Sequence, residues 1–282
     1  MKWQVGRRSS NVEDRRGMGA VGMGGMGLGG LLIVGVISLL LGKNPLEVMG
    51  EVASQQQQAP AGQAAPINDE SSQFVSSVLG STEDVWSKVL KQEGAAYPAP
   101  KLVLYSGAVR SACGTASAAV GPFYCPQDQQ VYLDTSFFDE MKAKLGGGGD
   151  FAQAYVIAHE VGHHIQTITG VSNTVEKLRA RGAPMEGDGG LSVRQELQAD
   201  CYAGVWANQA QAQNQWLESG DVEQALNTAT AIGDDRLQRQ SQGTVVPDSF
   251  THGSSAQRVR WFKIGFQGGD PNQCDTFNAQ TL

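Results

Sequence analysis

Between residues 150 and 170, apolar positions recur at helical spacing. Phe151, Ala154, Ala158, Val161, Ile165 and Ile168 alternate steps of three and four and form one stripe that faces a core. Asp150 follows a run of glycines and is a natural N-cap, and Gly170 stands where a left-handed C-terminal residue is wanted. Ser192 to Asn214 predicts a second long helix, with Ser192 as its cap and Gln195 at the reciprocal position. Its Ala199, Ala203 and Ala207 share a face of small side chains that lets another helix come close. Upstream, Phe74, Val75, Val78 and Leu79 suggest a helix. Ser81-Thr-Glu-Asp84 reads as a variant capping box opening another helix through Val85, Trp86, Val89 and Leu90. Leu102–Tyr105 and Val131–Leu133 predict short strands. Residues 113–125 read as a loop or irregular hairpin, 134–145 as a short helix, and 171–190 as part-helix and glycine-rich loop. The expected class is α+β.

The N-terminal quarter has a different texture. Met18 to Gly42 carries no charge and ends in Leu31-Leu-Ile-Val-Gly-Val-Ile-Ser-Leu-Leu-Leu41, which is long enough to cross a hydrocarbon core of roughly 30 Å. An uncleaved transmembrane anchor over 18–42 is preferred to a signal peptide, because no small-x-small site follows the run directly. Gly25-x-x-x-Gly29 is a weak dimerisation pattern within it. Residues 43–70, rich in Gln, Ala and Pro, read as a flexible tether, and the globular domain is expected over 71–282.

Charge adds a topology. The net charge is −7, yet Lys2, Arg7, Arg8, Arg15 and Arg16 against Glu13 and Asp14 give the first seventeen residues +3, leaving −10 for the rest. An acidic main body argues against nucleic acid as a partner. The positive-inside rule places the basic head in the cytoplasm and the domain on the periplasmic or other extracytoplasmic side, where disulfides are permitted. The four cysteines, Cys113, Cys125, Cys201 and Cys274, allow three complete pairings. Cys113 with Cys125 and Cys201 with Cys274 is the expected one; four free buried thiols is the alternative.

The chemistry lies on the first long helix. His159-Glu160-x-x-His163 puts two imidazoles one turn apart, where both can reach one zinc ion. Glu160 then lies beside the metal, where it can take a proton from zinc-activated water and pass it to a leaving amine. His164 points elsewhere on the helix and reads as a supporting or solvent residue. Two histidines are one ligand short of a catalytic site. Glu196 and Asp200, one turn apart on the second long helix, are the candidates to complete it.

His159-Glu-Val-Gly-His163 followed by Glu196-Leu-Gln-Ala-Asp200 resembles the gluzincin pattern, in which the first carboxylate of the second motif is the third zinc ligand. More closely, the chain resembles the bacterial putative neutral zinc metallopeptidase family. The resemblance rests on the basic head and glycine-rich anchor, Cys113-Gly-Thr, Gly121-Pro-Phe-Tyr-Cys125, the histidine helix through Gln166, Glu196 to Cys201, and Thr251-His-Gly to Arg258-Val-Arg-Trp-Phe262. It implies a zincin-like domain, zinc on His159, His163 and Glu196, and Asp200 orienting a ligand histidine. Thr251-His252 followed by Arg258 also resembles a motif bordering the active site of certain integral-membrane gluzincins, with Gly253 in place of the proline expected there. His252 or Arg258 is therefore a candidate donor to the oxygen of a peptide carbonyl under attack. A histidine capping the helix that carries Arg258, with Arg258 in an ion pair, is the plainer alternative.

The sequence thus predicts a membrane-anchored zinc metallopeptidase whose partner is a peptide or protein substrate. A non-catalytic zinc-binding interaction protein and a hydrolase of non-peptide amides are the rivals. A structural zinc site would need four protein ligands and has no use for Glu160.

Overall fold

The computed structural model describes residues 1–16, 69–117, 120–145 and 148–282. The expected anchor and most of the tether lie outside these residues. Among the described residues, no helix is long and apolar enough to cross a membrane.

The architecture is α+β, built on a small mixed sheet. Strands β1 (Val12–Asp14), β2 (Lys101–Tyr105), β5 (Phe123–Cys125) and β6 (Gln130–Asp134) lie in the order β1-β2-β6-β5. The first three neighbours run parallel, and β5 pairs antiparallel with β6 as an edge. Between β2 and β5, a separate hairpin pairs β3 (Ala108–Ser111) with β4 (Gly114–Ser117). Because side chains alternate along a strand, Leu102, Leu104, Val131 and Leu133 face the main helical core, while Val103, Tyr105 and Tyr132 face the hairpin with Val109, Ala116 and Val120. Burial on both faces explains why β2 is a continuous apolar run. The disulfide Cys113–Cys125 ties the hairpin to β5, and Cys201–Cys274 ties the second long helix to the C-terminal segment. Both are the expected pairs.

The α-helices among the described residues are α1 (Glu70–Gln92), α2 (Ser136–Leu145), α3 (Asp150–Ile168), α4 (Val171–Ala180), α5 (Leu191–Asn214), α6 (Asp221–Ala231), α7 (Asp234–Gln242) and α8 (Ser255–Gly268). The helical stripe on α3 is buried as expected, with Phe151, Ala154, Ala158, Val161 and Ile165 at most 2 % exposed. Burial extends well beyond the stripe, to Ala152, Tyr155 and Ile157, so α3 is a central helix. Gly170 takes the left-handed conformation, at φ 84°. The N-caps of α3 and α5 are Gly149 and Gly190, one residue before Asp150 and two before Ser192. Asp150 instead accepts from Trp3 Nε1 at 3.1 Å.

Two further expectations fail for tertiary reasons. Residues 81–84 open no new helix: α1 runs unbroken from its cap Asp69, whose side chain accepts from the Ser72 amide. Ser81 is buried and accepts from Trp206 Nε1 at 3.1 Å, so its hydroxyl is used across the core and not for capping.

The second failure concerns the basic head, which packs as part of the domain and not as a separate segment. Met1 and Trp3 are buried, and Trp3 packs edge-on against Phe74 with ring centroids 5.5 Å apart. Val12, Glu13 and Asp14 extend the sheet by pairing with Leu102, Val103 and Leu104. The positive charges meet acids of α1, its cap and β1: Arg7 binds Glu83 at 2.6 Å and Asp84 at 2.9 Å, and Arg16 binds Asp69 and its neighbour Asp14. Gly80 is required beneath this crossing, since a Cβ there would lie 2.6 Å from the Arg7 carbonyl oxygen.

Candidate metal centre

Three close helix contacts assemble the site. Gly162 of α3 lies against α5, where an added Cβ would be 3.0 Å from the Ala199 backbone. On its other flank α5 meets α8 through glycines: a Cβ on Gly265 would lie 1.9 Å from the Cys201 carbonyl oxygen, and one on Gly204 2.2 Å from that of Phe262. The small faces therefore bring His159 and His163, Glu196 and Asp200, and Arg258 together from three helices.

His159, His163 and Glu196 each offer a ligand atom, and these atoms lie within 4.8 Å of one another. His159 Nε2 is 3.1 Å from Glu196 Oε2, and His163 Nε2 is 3.5 Å from Oε1. Both rings are oriented from behind. His159 Nδ1–H donates to Asp200 Oδ1 at 2.8 Å, and His163 Nδ1–H donates to Gln166 Oε1 at 2.9 Å. The tautomers follow from these partners: protons on Nδ1 leave both Nε2 lone pairs for a metal. Gln166 cannot be turned the other way round, because its Nε2 already donates to the Gln195 carbonyl at 2.7 Å and to Gln198 Oε1 at 3.1 Å. Two imidazole nitrogens and a carboxylate are the donor set of a catalytic zinc site with an open position. The residues fit that metal.

Asp200 anchors a fully buried network. It accepts from Tyr155 Oη at 2.5 Å, from Arg258 Nε at 2.8 Å and from Arg258 Nη2 at 3.0 Å. Burial alone would raise its pKa; Arg258 and His159 outweigh that and hold it at about 2. For His159, burial disfavours the charged form, but Asp200 and Glu196 win and raise its pKa to about 10. His163 is raised too, against its own burial, chiefly by Glu196. Burial pushes the Glu160 carboxyl up, while the two histidines pull the other way.

His252 lines the same cleft as the triad and Glu160. Its Nδ1 contacts Thr251 Oγ1 at 2.9 Å and Asp234 Oδ1 at 3.3 Å. Asp234 in turn accepts the amides of Thr251, His252 and Gly253 at 2.7, 2.7 and 3.1 Å. Burial works against a charged His252, and Asp234 and Glu196 more than compensate, so its pKa is raised. The helix cap is Ser254, which forms a capping box with Gln257. His252 is therefore not the cap, and Arg258 is bound to Asp200 behind His159. His164 is 1 % exposed and outside the triad. Its Nε2 donates to the Pro98 carbonyl at 2.6 Å, and Tyr124 Oη donates to its Nδ1 at 3.1 Å, which fastens edge strand β5 to α3.

Sequence reasoning missed Gln166, Tyr155 and Asp234. Gln166 is three residues after His163 and Tyr155 four before His159, so helical neighbour spacing could have found both. Asp234 is eighteen residues from His252 and carries no local signal.

Comparisons with known proteins agree with this geometry. The chain is 51 % identical over 285 residues to the protein named "Uncharacterized protein YpfJ" of Escherichia coli K12, covering 98 % of this chain and 99 % of that one. It is 42 % identical over 263 residues to "Uncharacterized protein Mb2605" of Mycobacterium bovis, covering 87 % and 86 %, and equally to "Uncharacterized protein Rv2575" of Mycobacterium tuberculosis. No solved structure matches the chain. A family model described as "Putative neutral zinc metallopeptidase" matches residues 1–277, head and metal cluster included, and the chain belongs to that family.

Proposed function

We propose that the protein is a zinc-dependent metallopeptidase with a zincin-like catalytic domain, in which His159, His163 and Glu196 hold the metal. The observation that carries this reading is the convergence of three ligand atoms within 4.8 Å inside a cleft that also holds Glu160. Bound zinc supplies Lewis acidity, polarising an amide carbonyl and lowering the pKa of a water toward neutrality. Glu160 takes the water's proton as the oxygen–carbon bond forms and delivers it to the amine nitrogen as the carbon–nitrogen bond breaks. Burial raises its carboxyl above the ordinary carboxylate range, which favours its return of the proton as an acid. With Nδ1 committed to Asp234 and Thr251, His252 keeps Nε2 for the carbonyl oxygen, where negative charge develops. Asp200, Arg258, Tyr155 and Gln166 fix the ligand histidines.

The test is zinc content. Glu196→Ala, purified as the full chain, should lose stoichiometric zinc by elemental analysis; retained metal refutes the ligand set. Gln166→Leu should weaken zinc affinity by about 10- to 100-fold through loss of the His163 orientation, read by chelator competition. Affinity should also fall with pH. Metal requires neutral imidazoles, whereas His159, with its pKa raised to about 10, holds a proton below that pH. Each proton displaced costs up to about tenfold in affinity per pH unit lowered, so a flat zinc titration between pH 8 and pH 6 is the contrary result.

Both disulfides support placing the domain in an oxidising, extracytoplasmic compartment, and residues 1–16 lie there with it. Residues 18–42 are the proposed contact with the cytoplasmic membrane, and Gly25 and Gly29 the proposed route to a weak homodimer. Reporters fused at the two ends should give the same compartment.

A further inference from the structure

The cleft beside the metal cluster has a volume of about 290 Å³, and what lines it apart from the chemistry is apolar. Phe123 contributes from β5 and Val120 from the segment before it, and Phe137, Val156 and Leu237 come from α2, α3 and α7, with Ile232 at the end of α6. The charged groups lining it are all committed. Arg258 is bound to Asp200 through Nε and Nη2, His252 is held at Nδ1 by Asp234 with its Nε2 assigned to the carbonyl oxygen, and Glu196 faces both ligand histidines. Glu160 is the proton carrier. Among the described residues lining the cleft, no cation besides His252 remains to pair with the carboxylate of a peptide C-terminus, and no carboxylate remains to pair with an N-terminal ammonium. An ionised end or side chain placed here would be desolvated without a partner. A large aliphatic or aromatic side chain would gain by burial, about 1.5–3 kcal/mol for full transfer from water.

We infer that the enzyme is an endopeptidase whose specificity is set by a large apolar side chain adjacent to the scissile bond, seated among Val156, Ile232, Leu237 and Phe137. This inference rests on the peptidase reading. The volume accommodates one such side chain with the neighbouring backbone, and β5 provides a wall fixed in place twice. The Cys113–Cys125 disulfide holds one end, and the Tyr124 bond to His164 links it to the metal helix. Phe123 of β5, which also lines the cleft, is thereby tied to the helix that carries His159 and His163. Ile232 and Leu237 act through specificity and are not among the three ligand residues; Ile232 meets the network behind His159 only through its backbone carbonyl, which accepts from Arg258 Nη1 at 3.3 Å.

The experiment uses the full chain loaded with zinc and a decapeptide library, acetylated and amidated at its ends, with cleavage sites read by mass spectrometry. Leu, Ile, Phe or Met should be enriched at one position flanking the cut by ~10-fold or more over Asp, Glu and Lys. Capping the ends should change kcat/KM less than about twofold. Cleavage confined to uncapped peptides, or cuts without apolar enrichment, overturns the inference and leaves the peptidase reading standing. Ile232→Lys, at a half-buried helix end, should retain zinc while losing ~10-fold on Leu substrates and gaining on Glu substrates. An unchanged preference in a folded variant counts against the pocket. Binding covers the case of no turnover: calorimetry should show N-acetyl-leucine hydroxamate binding the zinc-loaded chain ~10-fold more tightly than the aspartate analogue. Tight leucyl binding without cleavage of any peptide removes the peptidase reading and keeps the pocket; equal affinities remove the pocket.

Discussion

A chain lacking residues 1–16 is expected not to fold. Those residues bury Met1, Trp3 and Val12, each worth about 1.5–3 kcal/mol, and supply the edge strand β1. Their removal also strips Glu83, 7 % exposed, of Arg7, Ser9 and Asn11, leaving an uncompensated buried carboxylate that costs about 3–5 kcal/mol. Set against a total stability of about 5–15 kcal/mol for a domain, these losses are decisive. Residues 69–282 alone should therefore show no cooperative thermal transition, and a peptide of residues 1–16 added in trans should restore one. Replacing 17–68 with a short Gly/Ser linker is the control. Arg16 and Asp69 are already ion-paired, so the ends to be joined are adjacent and this chain should melt like the full one. Cooperative melting of 69–282 by itself would show the head to be dispensable.

Glu160→Gln is expected to reduce kcat by about 10²–10⁴-fold while zinc content stays at one ion per chain. The amide keeps the size and position of the side chain but cannot accept the water's proton at neutral pH. Because His159, His163 and Glu196 supply the ligand atoms, the metal should be unaffected. Loss of zinc together with activity would make Glu160 a ligand, and near-normal turnover would place the base elsewhere. The wild-type pH profile offers an independent check. Burial raises the Glu160 pKa, so the acidic limb of kcat/KM should lie above the range of an ordinary carboxylate and be absent in the variant.

How much of this was legible in the chain depends on whether the cause is local. The helix carrying His159, Glu160 and His163 declares itself by spacing, and so does the one carrying Glu196 and Asp200, because both periodicities repeat within a few residues. Helical neighbours such as Gln166 and Tyr155 were within reach of the same reasoning. The Ser81 region was misread because Trp206, 125 residues away, takes the hydroxyl that a capping box would use. The head was misread for a related reason. Its positive charge follows the pattern of a cytoplasmic flank, but the acids that answer it, Glu83, Asp84 and Asp69, belong to a helix beyond an intervening apolar run.

By itself, the sequence determined the two metal-bearing helices, the residue types of the ligand set, the strands β2 and β6 and the excess charge at the start of the chain. Each is written in the period or order of neighbouring residues. Only the tertiary structure decided that the triad converges, that Asp200 and Gln166 lie behind different histidines, that Asp234 holds His252, and that residues 1–16 complete the sheet. These depend on how closely helices approach at Gly162, Gly204 and Gly265 and on which strand edge is left open for β1. Such contacts are set by packing among residues far apart in the chain, and no local periodicity encodes them.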